Sequence, residues 1–200
     1  MFQIRIHGRG GQGVVTAAEI LSIAAFIQGK HAQAFPSFGS ERMGAPVTAF
    51  CRMDDKEIRL REPVMEPDAL IIQDPTLLHQ VDLFSGLKPS GYILINSARN
   101  FEELGIGELR SRFLADHLRT VPASEIALEY TGRPLPNALL LGGLAAMTGL
   151  LSLSAVCDAI RQKFHGKVGD ANAAAAEVAY QAVVSGQPWT AKESSHAGTD

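Results

Sequence analysis

Apolar and polar residues alternate where the chain begins. Phe2, Ile4 and Ile6 share one face and Gln3, Arg5 and His7 the other, which predicts a strand. The pattern then changes. After Gly8-Arg9-Gly10-Gly11-Gln12-Gly13 comes a helix-compatible run from Val14 to Ile27, with Gly29 placed to stop it. His31 to Phe35 predicts a second strand. From Pro36 to Pro46 there is no period, only two prolines and two glycines, so that stretch predicts a loop. Val47 to Met53 predicts a strand, and Asp54-Asp55 a turn into Glu57–Arg61, which together make a hairpin.

Asp68–Gln73 and Tyr92–Asn96 are short apolar runs of the kind buried inside a parallel sheet. Leu118 to Val121 predicts another strand, followed by a short helix that Ser124 would cap. A nearly uncharged helical stretch starts at Asn137, and its many small residues suit packing on several sides. Ser154–Phe164 and Asp170–Ser185 predict two more helices, stopped by Gly166 and Gly186. Strands alternating with helices predict one α/β domain over residues 1–186. It is expected to have three layers, with a mostly parallel or mixed sheet flanked by helices. Residues 187–200 form a polar C-terminal tail.

Composition narrows the function. The chain has 200 residues, 46% of them apolar and 20% charged, enough for a substantial core. A net charge of −3 with no Lys/Arg cluster argues against nucleic-acid binding. No apolar run is long enough to span a membrane, and the first residues lack the order of a signal peptide. The two cysteines, Cys51 and Cys157, are too few for a four-Cys iron–sulfur cluster and form no disulfide framework. A cytoplasmic location is expected. His7, His31, His79, His117, His165 and His196 are scattered, with no metal-ligand spacing. Neither cysteine has a nucleophile's sequence context, so no catalytic residue and no metal site is expected in this chain.

Two segments carry candidate chemistry. Gly8, Gly10 and Gly13 fit G-x-G-x-x-G between a strand and a helix, with Gly11 and Gln12 between them. Such a turn permits close backbone approach and offers free N–H groups to an anion. An acidic partner for a ribose is missing from residues 29–35, and Val14-Val15 replaces the Lys-Ser/Thr of a P-loop. A tight turn without ligand, an anion site and a dinucleotide site all remain open at this point. The second segment is the loop with Phe38, Ser40, Glu41, Arg42, Met43 and Gly44. Its Arg could clamp a carboxylate or phosphate, and the apolar Phe38 and Met43 in a polar loop point to a protein interface.

Taken in order, five segments resemble the gamma subunit, or gamma domain, of the 2-oxoacid:acceptor oxidoreductases, the pyruvate:ferredoxin oxidoreductase family. They are Gly8–Gly13, Pro36–Val47, Pro67–Pro75, Gly91–Ser97 and Gly132–Asn137. Met43 departs from the pattern, since many relatives carry a second Arg or another polar residue there. The resemblance implies a fold like domain III of pyruvate:ferredoxin oxidoreductase and a place in a complex that oxidatively decarboxylates a 2-oxoacid to its acyl-CoA. The 2-oxoacid could be pyruvate, a branched-chain acid, 2-oxoglutarate or an aromatic acid such as phenylglyoxylate. Thiamine diphosphate, Mg2+ and [4Fe-4S] clusters would sit in the alpha, beta and ferredoxin-like delta subunits, and coenzyme A would be a co-substrate. Electrons would leave to ferredoxin, or to NAD through a flavin subunit. This chain would hold no cofactor alone, supporting the active-site cleft and assembly. Its Gly8–Gly13 turn would lie near a phosphate of coenzyme A or thiamine diphosphate. The alternative is a free-standing nucleotide-binding regulatory module using the same turn.

Overall fold

In the computed structural model, which describes residues 1–37, 43–187, 189 and 190, the opening alternation becomes β1 (Phe2–Arg9). The glycine turn leads into α1 (Val14–Ile27), which has the bounds its apolar run predicts. β2 (His31–Pro36) and β3 (Pro46–Asp54) form an antiparallel pair, taking the first and last residues of the expected loop. β4 (Ala69–Ile72), β5 (Tyr92–Asn96) and β6 (Leu118–Val121) follow. The rest is helical: α2 (Ala123–Thr131), α3 (Asn137–Thr148), α4 (Leu153–Lys163) and α5 (Gly166–Ser185).

The strands make one mixed six-stranded sheet in the order β2-β3-β1-β4-β5-β6. β1, β4, β5 and β6 are parallel, while β3 runs antiparallel to both β1 and β2. The expectation of one α/β domain with a mixed sheet and flanking helices holds. All five helices pack on one face, over Ile4, Ile6, Cys51, Met53, Ala69, Ile71 and Leu94. Within α3, Asn137 through Ala145 are all buried. Each fully buried leucine there contributes about 1.5–3 kcal/mol of apolar transfer.

The other face differs at its two ends. Over β4, β5 and β6, short 3-10 turns and connections bring Leu77, Leu83, Phe101, Leu109 and Phe113 against Ile72, Ile93 and Ile95. Over β1 and β3 the buried layer mixes polar Arg5, His7 and Arg52 with Phe50. Arg52 donates to Gln3 Oε1 at 2.9 Å and to the carbonyls of Glu62 and Pro63, with its guanidinium over the Phe35 ring.

Three local expectations are corrected. Glu57–Arg61 is not a strand. β3 already pairs with β1 on one side and β2 on the other, so it has no free edge to offer. Ser124 does not cap α2. Asn96 at the end of β5 does that work, accepting from Ser124 N and donating to Ser124 Oγ and Gln73 O. Gly166 does not stop α4, which ends at Lys163; it opens α5 four residues before the expected Asp170.

Candidate functional site

The chain leaves β1 for the helical face through α1, but leaves β4 for the opposite face through the 75–91 connection. Adjacent parallel strands whose exits diverge leave a crevice at their carboxyl ends, where ligands of α/β sheets bind. The Gly8–Gly13 turn forms this crevice. Gly8 is the last inward position of β1, packed against Val14 and Gln73. Gly10 is held in a parallel bridge to Met43, its N–H donating to Ala45 O at 2.9 Å and its carbonyl accepting from Gly44 N at 3.1 Å. Gly11 and Gly13 have φ of 93° and 70°, conformations that L side chains rarely adopt. A Cβ on Gly11 would stand 2.5 Å from Met43 Sδ.

Gly13 precedes α1 without any side-chain cap, and α3 likewise starts uncapped after Pro136. The two helix starts meet where buried Asn137 brings Nδ2 to 3.5 Å from Gly13 O. Neither first turn contains an acidic residue. Uncapped N-termini leave N–H groups unpaired and carry partial positive charge, so the arrangement favours an anion.

Beside the turn, the Asp74 carboxylate is paired. Asp74 Oδ2 accepts from Arg9 Nε at 3.1 Å and Gln12 Nε2 at 2.9 Å; Oδ1 accepts from Thr76 N and Oγ1. Burial opposes the charge on Asp74, but the bonds from Thr76 and Gln12, with the Arg9 charge, hold its pKa below the usual carboxylate value. Arg9 also donates to Gly44 O, Thr76 Oγ1 and Gln80 Oε1. Gln12 accepts from Arg9 N, so its side chain is engaged within the turn. Arg9, Asp74 and Asn137 fall within segments that carry the family resemblance, but no local pattern marks these contacts, because their partners lie far along the chain.

Of the loop residues singled out from sequence, Phe38, Ser40, Glu41 and Arg42 lie outside the described residues. Met43 is 87% exposed, a large apolar group standing in solvent beside Gly11. Met43 and Gly44 are tied to the glycine turn, so the described end of this loop and the turn are joined.

Other reactive groups are structural. Cys51 is fully buried in β3, and burial pushes its thiol up to about 12. Burial and then Glu177 push Cys157 up to about 11. Neither is a thiolate at neutral pH. His7 Nε2 accepts from Arg5 Nε at 3.1 Å, and Nδ1 lies 3.2 Å from Thr48 Oγ1. Burial, then the Arg5 charge, pulls His7 down to about 3. Among the described residues no three His, Cys, Asp or Glu side chains are grouped to hold a metal, and no helix is long and apolar enough to cross a membrane. A separate hollow of about 470 Å³ lies beside β6, lined by Ser97, Arg119 and Trp189 among others.

Residues 3–182 match the family model described as pyruvate ferredoxin/flavodoxin oxidoreductase. The pyruvate/ketoisovalerate oxidoreductases common subunit gamma of Thermococcus kodakarensis is 48% identical over 184 residues, covering 92% of this chain and 98% of that one. The crystal structure of pyruvate oxidoreductase subunit PORC from Thermotoga maritima matches with a TM-score of 0.75 at 36% identity, over 90% of this chain and 95% of that chain. The fold also recurs, at 18% identity and a TM-score of 0.72, in a 2-oxoglutarate:ferredoxin oxidoreductase from Magnetococcus marinus solved with 2-oxoglutarate, coenzyme A and succinyl-CoA bound. That match covers 93% of this chain but 31% of the longer one.

Proposed function

The chain belongs to the pyruvate ferredoxin/flavodoxin oxidoreductase family, as one of its gamma subunits, and from that premise we propose that it completes a coenzyme A site in a multi-subunit 2-oxoacid oxidoreductase. In this reading the complex is cytoplasmic. Alpha, beta and ferredoxin-like delta subunits carry thiamine diphosphate, Mg2+ and the iron–sulfur clusters, and ferredoxin or an NAD/flavin subunit takes the electrons. The 2-oxoacid is pyruvate or a branched-chain acid, the substrates in the name of the Thermococcus relative.

One observation carries the role of this chain: two uncapped helix N-termini, of α1 and α3, converge on the glycine turn, where Gly11 and Gly13 take positive φ. That geometry suits a phosphate group of coenzyme A. The first N–H groups of α1 meet the phosphate, and Asn137 fixes the second helix start against Gly13. The loop bearing Met43 lies at the rim, placed to dock on a partner subunit. A free-standing dinucleotide module is not favoured, because β3 separates β2 from β1 and the adjacent-strand βαβ unit of such sites is absent.

The Gly11→Val variant, assayed within the assembled complex, tests this role. Valine must adopt φ near 93° against Met43, with strain of about 1–2 kcal/mol. The apparent KM for coenzyme A should rise while the complex stays assembled and the chain folded. An unchanged KM contradicts the anion role.

A further inference from the structure

Basic residues in glycine-rich turns invite assignment as phosphate ligands, yet the Arg9 guanidinium faces other work. Four of its five N–H donors have partners inside the chain: Asp74 Oδ2 at 3.1 Å, Gly44 O at 3.0 Å, Thr76 Oγ1 at 2.7 Å and Gln80 Oε1 at 2.9 Å. Its own backbone N–H donates to Gln12 Oε1 at 2.8 Å, and Gln12 Nε2 returns to the same carboxylate oxygen of Asp74. Three segments distant in sequence are fastened at this one side chain. They are the glycine turn, the end of the Met43 loop, and the 3-10 turn Pro75–His79 that follows β4.

The backbone is fastened in parallel. Gly10 and the 44–45 segment exchange two hydrogen bonds, so the turn cannot shift without moving the loop. Gly11 and Gly13 have no side chains to hold their own torsions, and α1 offers no cap of its own. The turn is closed internally by Gln12 N donating to Arg9 O at 3.0 Å, and it is held from outside by Asn137 at Gly13 and by Arg9 with Asp74 on the side of β4.

Resting on the anion role proposed for the turn, we infer that Arg9 and Asp74 form a clamp that positions Gly10–Gly13 for the phosphate, with Arg9 a positioning residue and not a phosphate ligand. The sign of one substitution separates the two roles. Coulomb's law alone makes the Asp74 carboxylate repel a phosphate, so removing its charge should tighten binding if Arg9 were a direct ligand set free. A positioning clamp fails when either member is removed.

Arg9→Ala, Arg9→Lys and Asp74→Asn are compared with the parent in the assembled oxidoreductase, measuring kcat, the KM for coenzyme A and the melting temperature. Hydrogen exchange at the Gly10 and Gly44 amides is read alongside. Arg9→Ala and Asp74→Asn should each raise the KM, by up to roughly a hundredfold, the loss that a misplacement of about 1 Å can produce. Arg9→Lys, which keeps the charge but loses the planar fork, should not restore it. Gly10 and Gly44 should exchange faster in all three, with Ile71 and Leu94 in the neighbouring strands unchanged. A KM that falls or holds in Asp74→Asn overturns the clamp, and so does full rescue by lysine. If Gly11→Val raises the KM and no clamp variant does, the clamp fails and the anion role stands. If Gly11→Val leaves the KM unchanged, the anion role fails and takes the clamp with it.

Discussion

His7 shows what one buried side chain contributes. It was legible in sequence only as the third polar residue of an alternating strand. In the fold it is 6% exposed, accepts a hydrogen bond from Arg5, and is held unprotonated with its pKa pulled down to about 3. Arg5 in turn donates to the carbonyls of Leu83 and Ser85, with Asp82 supplying a favourable charge. Above pH 6.5 His7 is neutral in both folded and unfolded chains, so its contribution is fully present. As pH falls below 6.5 the unfolded chain takes up a proton that the folded chain refuses. Stability should then drop by up to about 1.4 kcal/mol per pH unit until the folded pKa is reached. Urea unfolding between pH 7.5 and 4 should therefore show a shallower loss for His7→Gln than for the parent. Equal slopes would contradict this account. The glycine turn was legible in the same way, as a motif, but its supports were not. Arg9 and Asp74 are 65 residues apart, and Asn137 is 124 from Gly13. No local pattern marks a contact of that range.

Local signals served the elements best where both ends were punctuated. α1 is bounded by Gly13 and by Gln28-Gly29, and its apolar run leaves little freedom over where it lies. The Glu57–Arg61 hairpin failed because strand pattern is not strand pairing. Ile58 and Leu60 alternate with charged residues convincingly, but both edges of β3 were taken. That segment instead leads on to Glu62 and Pro63, whose carbonyls satisfy Arg52. The start of α2 was misplaced for a related reason. Its cap comes from Asn96 across the sheet, not from its own first turn. Asn96→Ala would leave Ser124 N and Gln73 O without this partner, in a site where Asn96 is 7% exposed. The expected cost is about 1–3 kcal/mol, by the penalty for buried unsatisfied groups. Chemical denaturation should show it as a lower midpoint with an unchanged slope, and a loss below about 0.5 kcal/mol would remove Asn96 from this role.

Across the whole fold, strand order determines which crevice the sheet offers. The alternation of strands and helices predicted an α/β domain, and the ordered motifs pointed to the oxidoreductase gamma subunits. Neither could show that β3 lies between β1 and β2, because sheet order depends on long-range pairing. That insertion takes β2 from beside β1, so the two strands joined by α1 are not neighbours, while β4 remains the parallel neighbour of β1. It leaves the crevice between the ends of β1 and β4, where α1, α3 and the Met43 loop converge. In the assembled enzyme this crevice is proposed to take a phosphate of coenzyme A. A structure of the whole complex with coenzyme A bound measures it directly. A phosphate oxygen is expected within about 3 Å, the distance of a charge-assisted hydrogen bond, of a backbone N–H in the Gly11–Thr16 segment other than that of Gln12, which donates to Arg9 O. Phosphates that all lie beyond hydrogen-bond reach of that segment would contradict it and leave the turn as packing against a neighbouring subunit.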